Sequence, residues 1–172
     1  LYLLKHKTKF NSVLTMLETD IDSGNIALNA NTQILKFLYL NQNKLNLYFL
    51  EGRFTEGLSY VDELLEEIES HTSRIDEHHI MVFYYKIASM YFGAGDNKKC
   101  IEFLEKIISN KSLQMREDLL CFSRILNLVA HYEAGLDYNL DILIKGTYKF
   151  LIKMEDLHEV QKEFIKFLRG LG

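Results

Sequence analysis

Not one proline interrupts this chain of 172 residues. Proline breaks helix interiors, because its ring removes a backbone donor and collides with the preceding turn. Only nine glycines are present, and each weakens a helix interior by roughly 1 kcal/mol relative to alanine. A chain so poor in both can sustain long helices. The apolar residues agree: Leu3, Leu4, Phe10, Val13, Leu14 and Leu17 recur at steps of three and four, the spacing of one helix face. No segment keeps a period-2 alternation, so no sheet is expected.

The first helix is predicted over residues 1–19, followed by a turn at Asp20, Asp22, Ser23 and Gly24. A long helix follows from near Ala27 to Leu50, and Gly52 stops it. From Phe54 to Ser70, residues Phe54, Gly57, Leu58, Val61, Leu64, Leu65 and Ile68 form one apolar stripe. The next helix spans residues 76–94 and stops at Gly95. Asp96 is placed to cap its successor, which carries Cys100, Ile101, Leu104, Ile107 and Ile108. Further helices are predicted from Met115 to Ala134, from Asp137 to Lys153 after Gly135, and over residues 156–169.

Gly52, Gly95 and Gly135 stand 43 and 40 residues apart, and their flanks match. Seven residues before each glycine stand Leu45, Ala88 and Leu128; four before stand Tyr48, Tyr91 and His131. Five after stand Gly57, Cys100 and Leu140; nine after stand Val61, Leu104 and Ile144. Recurrence of position classes across both helices of a unit is the signature of a repeat array. The units are residues 27–70, 76–110 and 115–153, flanked by helices over 1–19 and 156–169.

The middle unit resembles a tetratricopeptide repeat. Tyr84, Ile87, Ala88 and Tyr91 take the family's first-helix positions, Gly95 the turn, and Cys100 and Leu104 the second-helix positions. Asn41 and Lys44 depart from the pattern in the first unit, and Arg124 and Asn127 in the third. The units also exceed the family's period of about 34 residues. The resemblance implies an all-α, right-handed superhelical stack of antiparallel helix pairs, an α-solenoid of about eight helices forming one domain over residues 1–172. Because the chain starts at Leu1, it is expected to be a fragment of a longer protein.

Composition bounds the function. With 48% hydrophobic and 26% charged residues, the chain can bury enough apolar surface to offset its ordering entropy. A net charge of −4 argues against direct nucleic-acid binding, which selects basic faces; the cluster Lys5, Lys7 and Lys9 is read as a solvated face. No apolar run reaches the roughly 18 residues of a membrane span, and a cytoplasmic location is expected. Cys100 and Cys121 are read as reduced core residues.

No motif for catalysis is legible. Gly-rich phosphate loops, a nucleophile elbow and a His-Glu-x-x-His helix are all missing from the sequence. Adjacent His78 and His79 point about 100° apart on a helix and cannot easily share one ion. Glu155 and His158 form a lone Glu-x-x-His pair, whereas di-iron bundles need two with further glutamates. No enzyme activity, metal or cofactor is therefore expected.

What remains is a surface. First helices line the concave face in stacks of the resembled family. Counting back from each glycine by 13, 10, 6 and 3 follows one helical stripe. It comprises Tyr39, Gln42, Asn46 and Phe49; then Val82, Tyr85, Ser89 and Phe92; then Phe122, Ile125, Val129 and Tyr132. Rigid aromatics offer contact area at low entropic cost, and amides can bond a peptide backbone. Family members that clamp a terminal carboxylate use Lys, Arg and Asn at comparable positions, for which Asn46 and Lys86 are the candidates here. The expected function is a scaffold that binds a peptide or protein segment. The alternative is the sensor or regulatory part of a larger signalling or transcription-regulating protein.

Overall fold

The computed structural model describes residues 6–23, 29–110, 117–153, 163, 164, 166 and 167. Among them are seven α-helices and no strand: α1 Lys7–Asp22, α2 Ala30–Glu51, α3 Phe54–His71, α4 Glu77–Gly93, α5 Asn97–Ile108, α6 Glu117–Glu133 and α7 Leu140–Leu151. A short 3-10 turn, Asp137–Asn139, leads into α7. The helix expected over 156–169 lies largely outside the described residues. The helix α1 runs through Asp20 to Asp22, where the sequence suggested a turn, and Ser23 closes it by donating its amide to the Thr19 carbonyl at 2.9 Å.

Helix ends follow from local chemistry. Asn29 caps α2, its side chain accepting from Thr32 N at 2.9 Å. Asp96 caps α5 in the same way, accepting from Lys99 N at 3.0 Å. Each such cap satisfies an otherwise orphaned first-turn amide and contributes about 1 kcal/mol. At the other ends, Gly52, Gly95 and Gly135 have φ of 66°, 84° and 65°. Each glycine amide bonds the carbonyl three residues back (Phe49, Phe92, Tyr132), and the next residue's amide bonds the carbonyl five back (Tyr48, Tyr91, His131), all at 2.9–3.1 Å. This is the Schellman closure, which requires a left-handed residue that glycine adopts without a Cβ penalty. One stop signal is thus built three times at the spacings noted in the sequence.

The chain divides into two compact units, residues 1–86 and 87–172, with the boundary inside α4. In the first, α1 packs on α2 and α2 on α3. Gly57, Val61, Leu64 and Ile68 make the buried face of α3, and Leu14, Leu38, Leu45, Ile75, Ile80, Met81 and Phe83 join them in the core. In the second, α5 packs on α6 and α6 on α7. Its core holds Ile87, Ala88, Met90, Cys100, Phe103, Leu104, Ile107, Leu119, Cys121, Leu128, Ala130 and Leu151. Each fully buried Leu or Ile contributes roughly 1.5–3 kcal/mol by leaving water. Both cysteines are buried and outside any disulfide, and burial pushes the Cys100 thiol up to about 12, with Asp96 adding to the shift. The position seven before each glycine is buried in all three cases, as Leu45, Ala88 and Leu128. No described helix is long and apolar enough to cross a membrane.

Candidate functional site

In the first unit the stripe lies on α2 and α4. Tyr39 is 60% exposed, and Leu35, one turn earlier on the same face, is also exposed. Gln42, Asn46, Phe49, Val82 and Tyr85 are half-buried. The arrangement at Asn46 is specific. Lys86 Nζ donates to Asn46 Oδ1 at 2.5 Å, bridging 40 positions of sequence. Asn46 Nδ2 donates to Asn43 Oδ1 at 3.5 Å, and Asn43 Nδ2 to the Tyr39 carbonyl at 2.7 Å. The relay runs from the α2 backbone through two amides to the ammonium of α4, and it fixes which way the Asn46 amide faces.

Lys86 is half-buried, and that burial alone lowers its pKa. Among the described residues no carboxylate pairs with it; its hydrogen-bond acceptor is a neutral amide oxygen. Among the described residues the ammonium thus has no charge partner in a partly desolvated place, where an anion gains more than it would in water. Sequence reasoning named Asn46 and Lys86 but missed Asn43. Its signal was spacing: Asn43 stands three residues from Asn46 and four from Tyr39, both one-turn neighbours on a helix.

Phe49 lies at the end of the stripe and packs edge-on against Phe54, with ring centroids 5.5 Å apart at 81°. That contact closes the turn between α2 and α3, so Phe49 is partly a packing residue. In the second unit, Ser89 and Phe92 on α4 are half-buried. On α6, Phe122 and Tyr132 are exposed, Tyr132 to 65%. Between them Ile125 and Val129 are half-buried, and Ile125 packs on the cluster of Cys121, Leu128 and Leu151. The stripe on α6 thus has open aromatic ends and a packed apolar middle.

The charged and histidine features have local duties. Asp76 caps α4: its Oδ1 accepts from His79 N at 3.1 Å, and its other oxygen contacts His79 Nδ1. Burial would raise the Asp76 carboxyl, but the His79 hydrogen bonds hold it below the usual carboxylate range. Lys7 pairs with Glu51 at 3.3 Å. Among the described residues, no three His, Cys, Asp or Glu side chains come close enough together to hold a metal ion. Glu155 and His158 lie outside those residues. No protein-family model, curated protein or solved structure matches this chain.

Proposed function

We propose that the chain is a tetratricopeptide-like scaffold that captures a peptide or protein segment along the stripe of its first-type helices. On this proposal it holds a partner, runs no reaction and needs no cofactor. The observation that carries it is the relay from the Tyr39 carbonyl through Asn43 and Asn46 to Lys86. It holds a half-buried ammonium at one end of the relay, with the exposed Tyr39 two turns back along α2, a charged and an aromatic group suited to a carboxylate, either an acidic side chain or a terminal carboxyl, on an extended segment. The threefold Schellman closure and the shared buried position seven residues before each glycine support the repeat reading.

The test is a fluorescent peptide library with free or amidated C-termini and with or without acidic side chains. Binders in the wild-type protein should favour carboxylate-bearing peptides. Replacing Asn46 and Tyr85 together with Ala should then weaken binding by about 2 kcal/mol or more, while stability falls by about 0.5–1.5 kcal/mol because both positions are only half-buried. Lost stability with retained binding would mean that the stripe is core and the partner docks elsewhere.

A further inference from the structure

A cleft lies on the other side of α2 and is independent of the relay. At about 100° per residue, Phe37, Asn41 and Lys44 face away from Tyr39, Gln42 and Asn46. They line a cleft of about 410 Å³ between α2 and α3, together with Tyr60, Glu63 and Glu67 of α3. Glu63 and Glu67 are four residues apart, so their carboxylates rise from one face of α3. Neither has an ion-pair partner among the described residues. Lys44 is already committed: its Nζ is 3.2 Å from Glu18 and sits over the Tyr60 ring, 5.8 Å from the centroid.

The aromatic walls are held in place. Phe37 is stacked on His71, centroids 5.1 Å apart at 15°, and the Tyr60 hydroxyl donates to the side-chain oxygen of Asn41, which is only 5% exposed. Burial raises the Tyr60 phenol pKa most, and Glu67, Glu63, Tyr48 and Glu18 raise it further.

We infer that this cleft receives the guanidinium of an arginine side chain from a basic partner segment, with Glu63 and Glu67 as its acceptors and Tyr60 as its aromatic wall. Guanidinium suits the place because it is planar, stacks on rings and forms paired hydrogen bonds with carboxylates. Lys36 also lines the cleft and opposes a cation, which gives the test a sign.

The experiment titrates N-acetyl-arginine amide into the whole chain, following the side-chain amide of Asn41 and the ring of Tyr60 by NMR. The neutral isostere N-acetyl-citrulline amide is the control. A single charged contact should give saturable shifts with a dissociation constant of roughly millimolar order. Binding should weaken about tenfold or more in the Glu63→Gln, Glu67→Gln double variant and strengthen in Lys36→Met. Retained amide dispersion shows that each variant is folded. Absent or non-saturating shifts, equal binding of the citrulline probe, indifference to the double variant, or weaker binding in Lys36→Met would each overturn the proposal.

Discussion

The helices α2, α4 and α6 end in the same glycine closure, yet they fill the same register differently. Eleven residues before the glycine stand Asn41, Tyr84 and Arg124; eight before stand Lys44, Ile87 and Asn127. In α4, Ile87 is fully buried, as the repeat pattern asks. In α2 the polar residues are accommodated: Asn41 is buried but accepts from Tyr60, and Lys44 leans into a cleft toward Glu18. In α6 they are not. Asn127 is 4% exposed and Ser123, one turn earlier, 0%, yet Asn127 Oδ1, Ser123 Oγ and Arg124 Nε are buried without a hydrogen-bond partner. His131 uses the row only through the backbone, its Nδ1 donating to the Asn127 carbonyl at 2.8 Å. A polar residue in a core register is therefore tolerable in two ways, by a partner or by an opening to solvent. Asn127 and Ser123 have neither among the described residues.

Exchanging the residues should expose that difference most. Ile87→Asn puts the polar residue of α6 into the core of α4 and should cost roughly 3–5 kcal/mol, the sum of a lost apolar side chain and an unpaired amide. Asn127→Leu should do the reverse, leaving stability unchanged or raising it by about 1–2 kcal/mol, because it removes an unsatisfied group of similar volume. Urea unfolding of both variants decides the matter: if Asn127→Leu is as damaging as Ile87→Asn, the amide has a partner that makes it a structural requirement.

The shared closure can be broken next. An added Cβ at Gly95 would meet nothing within 4 Å, so a side chain there costs chiefly through the φ of 84°. We expect a loss of about 1–3 kcal/mol, with a similar loss at Gly52 and Gly135. Unchanged melting temperatures would remove the common register on which the comparison rests.

The smallest effect sharpens the contrast between Asn41 and Asn127. Tyr60→Phe deletes the hydroxyl that satisfies Asn41 and should destabilise by about 1–2 kcal/mol. Adding Asn41→Leu to it should restore most of that loss. Thermal melts of the two variants measure this, and a neutral Tyr60→Phe would place Asn41 in the same unsatisfied class as Asn127.

Where the candidate stripe lies on its helices was legible because helical spacing is a strong constraint. Asn46 and Tyr39 follow from counting back from Gly52, and both occupy the accessible side of α2. Phe49 was less legible, since its use depends on Phe54 across a turn. Asn127 was visible only as a departure from the repeat pattern, with no signal of whether it would be buried or find a partner.

The chain by itself determined its helices, their caps and their stops. These are decided within four or five residues: a missing proline, an Asp or Asn before the first turn, a glycine free to take positive φ. It also determined the buried faces of α3 and α5, because the step of three and four is geometric, although Val13 and Leu17 of the stripe expected on α1 are exposed. Only the tertiary structure decided which polar groups meet. The Lys86–Asn46 bond joins residues 40 apart, and the Tyr60–Asn41 bond joins residues 19 apart. Such pairs depend on how α4 and α3 lie against α2, and a shift of an ångström or two separates a hydrogen bond from an unpaired group. Local periodicity carries no information at that resolution.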